Sequence, residues 1–289
     1  MSSESPVTTT PLLIPSPTSP LFEPSFYTYV QSLLDLAALS KADMNAPCLV
    51  VAATKRYKYV PKEEHASLDF EDGHLGSYKL VTKASQLDEA VKSMNHTFGL
   101  PKNVMVLYLH FTPRNQMEAL MTMHYEMQRA YIQNTKEQDT LKVDFQKSYC
   151  GAVMASAPLF KVYMLDVDTE DVMKIQAFYQ HCPEMVERVD WILKTQGGFH
   201  LIYKPGTNVQ HMYRVAKEHA KFYEKREVPV DEKEGLLETD PKAKKVKAKV
   251  KYFFEVLSNA ASPLPGSLQN GIVVKTMSLE EFEKKVFLV

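Results

Sequence analysis

Cysteine is scarce: Cys48, Cys150 and Cys182 are the three in 289 residues. They are too few, too scattered and odd in number for a disulfide framework, and are expected as buried or half-buried free thiols of a reducing compartment. No CxxC pair is present, so no zinc site is expected. No stretch comes near the ~18–20 consecutive apolar residues of a membrane helix. The first residues lack both the basic-then-apolar order of a secretory signal and the arginines of a mitochondrial presequence. The expectation is an intracellular protein of cytoplasm or nucleus, not secreted and with no membrane partner. Charge of one sign is missing too. The formal net charge is −1, so any nucleic-acid surface must be a local patch on a neutral body. His96, His110, His124, His211 and His219 show no HExxH spacing, and neither GxxxxGK[ST] nor GxSxG occurs. Internal repeats are absent.

What is present is ordinary core material. Hydrophobic residues make up 45% and aromatics 10%, enough for one large or two small domains. Residues 1–22 are rich in Ser, Thr and Pro and read as a disordered or extended arm, leaving 23–289 as the folded domain. Phe26, Tyr29, Val30, Leu33, Leu34 and Ala37 recur at helical spacing, with Ser25 as candidate N-cap. Strands are expected at Cys48–Ala53, Lys79–Val81 and Val104–Phe111, and a helix from Ser85 towards Asn95. Residues 115–133 carry a helical stripe of Met117, Leu120, Met121, His124, Met127 and Ala130, whose methionines are expected as core filler. Further on, 160–167 reads as a central strand, 187–204 as two strands around Gln196-Gly197-Gly198, and 208–224 as a helix. Val246, Ala248, Val250 and Tyr252 alternate with lysines as in a strand. Ile272–Val274 is a last strand, and Ser278 with Glu281 caps a terminal helix. Strands and helices interleave without strict βαβ repetition, so the class is α+β with mixed or antiparallel sheets flanked by helices.

The strongest chemical feature is Leu165-Asp166-Val167-Asp168 at the end of an apolar strand. Side chains at i and i+2 of a strand share a face, so the two carboxylates stand side by side and repel. A divalent cation resolves that conflict, and oxygen ligands suit Mg²⁺ or Mn²⁺. Taken alone, the triplet reads first as a strand leaving the core with two solvated acids. A second feature, Lys194-Thr195-Gln196-Gly197-Gly198-Phe199-His200, sets two glycines before an aromatic-His pair. Glycines permit close approach to the backbone, His200 can donate to a phosphate oxygen, and Lys194 or Lys204 can add charge. Alone, this segment reads first as a hairpin with a satisfied surface histidine.

Together, in this order, YMLDVDTED and KTQGGFHLIYKP resemble the two leading motifs of the archaeo-eukaryotic primase (primase-polymerase) superfamily. Leu107–Arg114 is similar to that family's strand followed by Pro-Arg, and Pro263–Leu268 to its terminal Ser-Leu segment, so the resemblance spans roughly 100–289. It implies a primase-polymerase catalytic core that adds nucleotides from NTP or dNTP on a single-stranded DNA or RNA template by a two-metal mechanism. A helicase or accessory replication subunit is the implied partner. Asp166 and Asp168 would bind the metals. His200, with Thr195, Lys194, Gly197 and Gly198 beside it, would face the nucleotide phosphates, and Arg114 is a phosphate or template candidate.

The resemblance requires a third carboxylate. Its expected position falls near Lys251, of the wrong charge; Asp231 is the candidate taken, with Asp240 second. Gln269 stands where the family more often has His. Lys242, Lys244, Lys245, Lys247, Lys249 and Lys251 crowd into ten residues. They read either as a solvated strand face or as a nucleic-acid contact made through phosphates. Three readings remain open: a primase-polymerase, a catalytically degenerate primase-like domain binding nucleic acid or assembling a replication complex, and an unrelated α+β domain.

Overall fold

The computed structural model describes residues 20–40, 46–55, 75–97, 105–134, 145–224, 253–269 and 272–287. Asp231, Asp240, the lysine cluster, the alternating stretch 246–252 and most of the 1–22 arm lie outside these residues.

The first half opens with α1 (Pro24–Leu39), then β1 (Pro47–Lys55), β2 (Leu75–Val81), α2 (Leu87–Thr97), β3 (Met105–Asn115), α3 (Gln116–Asn134) and α4 (Phe145–Ala155). Helix α1 starts on Pro24, whose missing N–H is one that a first turn leaves unpaired anyway, so Ser25 is inside the helix and Glu23 is its N-cap. The α2 entry is likewise one turn of 3-10 helix, Ala84–Gln86. The Gln86 side chain accepts from Thr82 N at 2.9 Å and from Lys83 N at 3.2 Å.

The second half runs β4 (Met164–Val167), α5 (Val172–His181), β5 (Val189–Lys194), β6 (Phe199–Tyr203), α6 (Gln210–Glu224) and β7 (Phe254–Leu257). It closes with β8 (Ala261–Pro263), β9 (Leu268–Gln269), β10 (Ile272–Val273), β11 (Lys275–Met277) and α7 (Leu279–Phe287). Ser278 Oγ accepts from Glu281 N at 3.1 Å while Glu281 Oε2 accepts from Ser278 N at 2.8 Å, the reciprocal cap expected for the terminal helix.

Two principal sheets result. One has the order β2-β1-β3-β8 and the other β11-β5-β6-β4-β7, with every neighbouring pair antiparallel. Within the second sheet, β4-α5-β5-β6-α6-β7 laid out as β7-β4-β6-β5 is the split βαβ, or ferredoxin-like, arrangement. The class is therefore α+β. No described helix is long and apolar enough to cross a membrane.

Alternation along the strands builds three cores. Leu49, Val51, Leu109 and Phe111 face α1, α2 and the inner side of the second sheet, where Met164, Leu193 and Ile202 meet them. Cys48 and Val50 face the other way, towards Ala119 and Met123 of α3 and Val153 of α4. Leu165, Val167, Phe199, Leu201 and Phe254 form the outer side of the second sheet, under Phe178 and Phe282. Each fully buried Leu or Phe contributes about 1.5–3 kcal/mol by leaving water. The α3 stripe is out of phase with the sequence expectation: Met123 is buried while Met121 is 65% exposed, so only part of the methionine set fills core. All three cysteines are buried free thiols.

The chain stitches the sheets together after β7. Ala260 N donates to Val162 O at 3.2 Å in the second-sheet region, and Phe111 N donates to Ala260 O at 2.8 Å in the first. Ser262 then pairs with Leu109 and faces the second sheet.

Candidate functional site

Strand β4 is central, with β6 on one side and β7 on the other. Its register sets Asp166 opposite His200 on β6 and opposite Glu255 on β7. Directly opposed residues of antiparallel strands share a face, with Cβ atoms about 4.5–5.5 Å apart. The neighbours of Glu255, Phe254 and Val256, belong to the outer core, so Glu255 shares the inner face with Asp166 and His200. Asp168 follows two residues on, its backbone N donating to Phe253 O at 2.9 Å. Three carboxylates and one imidazole thus lie at the rim of the space between the sheets, on frames fixed by strand register. Asp166 is half-buried, whereas Asp168 and Glu255 are exposed.

His200 is 9% exposed and held at both ring nitrogens. Nε2 is 3.3 Å from Asp166 Oδ1, and Nδ1 is 2.6 Å from Ser262 Oγ. A neutral ring with its proton on Nε2 satisfies both: it donates to the carboxylate and accepts from the serine hydroxyl. His200 accordingly orients Asp166 and ties the second sheet to the first.

The two glycines have a different use from the one expected. Neither lies in the left-handed region; Gly206 and Gly266 are the described glycines with positive φ. A Cβ at Gly197 would lie 2.5 Å from Asp168 Oδ1, and a Cβ at Gly198 would lie 1.8 Å from Val167 O. The β5–β6 turn, closed by Thr195 N donating to Gly198 O at 2.9 Å, therefore presses onto the end of β4. What approaches the glycines closely is the Asp166–Asp168 strand itself. Thr195 is buried in that turn.

Lys194 and Arg114 are not brought to this face. Lys194 lies beside Phe199 on the outer side, 4.8 Å from its ring centroid and ion-paired with Glu170. Arg114 stands opposite Cys48 on the far side of the first sheet, where its guanidinium donates to Ser156 O. The side chain of Lys204 is 3.9 Å from Asp190 and also away from Asp166.

Sequence reasoning missed Glu255 and Ser262. The signal for Glu255 was one acid within Phe253-Phe254-Glu255-Val256-Leu257, an alternating strand a few positions beyond the place where a third acid was sought. Asp166, Asp168 and Glu255 do not gather their oxygens within 4.8 Å; among the described residues, the group that does so is Cys182, Glu184 and His211, on the outer side of the sheet. No family model matches the chain, and neither the curated proteins nor the solved structures returned a match.

Proposed function

We propose that the chain is a metal-dependent nucleotidyltransferase of the primase-polymerase type, in which Glu255 takes the place sought for Asp231. One observation carries this reading: Asp166 and Glu255 are direct cross-strand neighbours, with Asp168 two residues beyond Asp166 at the end of the same strand. Like charges directly opposite are destabilising, and the group the structure sets against the Asp166 carboxylate is the His200 ring. The donors are all oxygen, the chemistry of hard dications such as Mg²⁺ or Mn²⁺, and the three carboxylates would have to close from their present spacing to share an ion. Bound there, such ions would activate a primer 3′-hydroxyl and stabilise the charge developing at the α-phosphate of an NTP or dNTP. Asp166, Asp168 and Glu255 would hold the ions, and His200 fixes the Asp166 carboxylate. The hairpin glycines seat Asp168. The template is single-stranded DNA or RNA, and a helicase or accessory replication subunit is the fitting companion.

A second reading, a degenerate primase-like domain that binds nucleic acid or assembles a replication complex, is favoured by the phosphate side of the site. His200 has both nitrogens engaged, and Lys194 and Arg114 face elsewhere. The deciding experiment is primer synthesis and extension with labelled nucleotides in Mn²⁺ or Mg²⁺. It compares wild type with Asp166→Ala/Asp168→Ala and with Glu255→Gln. Polymerisation lost in the double variant and reduced on the order of 100-fold in Glu255→Gln establishes the enzyme. Mn²⁺ binding without nucleotide incorporation supports the second reading, and activity that survives in the double variant refutes the site.

A further inference from the structure

On the opposite side of the ferredoxin-like sheet, three different donors converge. Cys182 closes α5 as its C-cap, with its N–H donating to Tyr179 O at 3.1 Å. Pro183 then starts a single 3-10 turn, Pro183–Val186, that holds Glu184. His211 stands in the first turn of α6, with Nδ1 hydrogen-bonded to the Glu184 carboxylate. One donor atom from each residue lies within 4.8 Å of the other two.

The frame beneath them is stiff. Met185 N donates to Cys182 O at 3.1 Å, and Tyr203 Oη, fully buried, donates to Met185 O at 2.7 Å. The thiol is buried whereas the His211 side chain is 48% exposed, so the cluster opens to solvent on one side.

We propose that Cys182, Glu184 and His211 form a site for a borderline transition-metal dication, zinc by preference, which clamps α5 to α6 and takes its remaining ligand from solvent. One sulfur, one nitrogen and one oxygen ligand suit Zn²⁺ or Co²⁺ and are a poor match for Mg²⁺ or Ca²⁺. The Cys-x-Glu spacing with a distant histidine explains why a search for CxxC pairs discounts zinc in this chain.

Metal binding would form the sulfur–metal bond as the Cys182 S–H proton leaves to solvent, with the Glu184 carboxylate facing the dication. The site is separate from Asp166 and Glu255, which face the other side of the sheet, and stands or falls independently of the nucleotidyltransferase reading.

The test is Co²⁺ titration of the reduced, chelator-treated full chain. One equivalent is expected to produce a thiolate-to-cobalt charge-transfer band with visible d–d bands, both abolished by Zn²⁺ competition. Cys182→Ser is expected to remove the charge-transfer band, and Asp166→Asn/Asp168→Asn to leave it unchanged. His211→Gln, at an exposed position that does not threaten folding, should weaken Co²⁺ affinity on the order of 100-fold, one ligand's share of a structural site. It should also erase the Zn²⁺-induced rise in thermal midpoint seen in wild type. Absence of the band in wild type overturns the proposal and leaves a purely hydrogen-bonded triad. A band surviving in Cys182→Ser, from Cys48 or Cys150, or an unaltered affinity in His211→Gln, overturns it equally.

Discussion

Glu255→Gln should make the protein more stable without divalent ions and less stable with them. Asp166 and Glu255 are opposed across β4 and β7 on a partly solvated rim. Two unit charges about 6 Å apart at an effective dielectric of about 60 repel by roughly 1 kcal/mol, and the general range for opposed like charges in sheets is about 0.2–1 kcal/mol. The middle of that range, about 0.5 kcal/mol, corresponds to a midpoint about 1–2 °C higher for a chain of this size. Glutamine keeps the shape and removes the charge, so packing along the strand is preserved. In Mn²⁺ the order reverses. A dication at 100 times its dissociation constant stabilises the wild type by about 2.7 kcal/mol, and loss of one carboxylate ligand removes most of that gain. Differential scanning fluorimetry of both proteins, with chelator and across a Mn²⁺ series, should give curves that cross. Curves that stay parallel, or a variant already less stable in chelator, refute the claim that the two carboxylates share one site.

Gly198→Ala should cost about 1–3 kcal/mol in chemical denaturation, because its Cβ would lie 1.8 Å from Val167 O and the hairpin or β4 must shift; an unchanged midpoint would show that the turn does not press on β4. His110 should make stability fall in mild acid. Burial, helped by Arg114, lowers its pKa to about 4, so the folded state rejects a proton that the unfolded chain accepts. That contribution is complete above the unfolded value of 6.5 and is lost as pH falls towards about 4. Between neutral pH and about pH 5 the denaturation free energy should drop by roughly 1–2 kcal/mol, and His110→Gln should flatten this slope.

Legibility in the sequence followed the range of the interactions. The Ser278–Glu281 cap, the β5–β6 hairpin and the apolar strand of β3 depend on neighbours a few residues away, and their patterns are visible locally. β3 nevertheless runs beyond Phe111 to Asn115 through Pro113, whose carbonyl still accepts from Leu159 N at 2.9 Å. Helix α4 gave no clear periodic signal and was not anticipated. On the site, Asp166, Asp168 and His200 were readable because alternation alone sets the two acids on one face and the glycine turn precedes the histidine. Glu255 and Ser262 were not, since nothing local says that β7 pairs with β4 or that β8 leaves for the other sheet. The orientation of Lys194 and Arg114 failed for a related reason. Strand parity sends Lys194 to the face opposite His200, and the irregular β1–β3 register places Arg114 against Cys48.

The contact between the Gly197-Gly198 turn and the end of β4 has a consequence for evolutionary change. The space above Gly198 is filled by the backbone at the end of β4, so selection for folding alone would keep that position glycine after any chemistry had been lost. Relatives that retain Gly198 yet replace Asp166, Asp168 or Glu255 would then be descendants that kept the scaffold. Only the three acids varying together, against a constant Gly198, would trace where the proposed activity was abandoned.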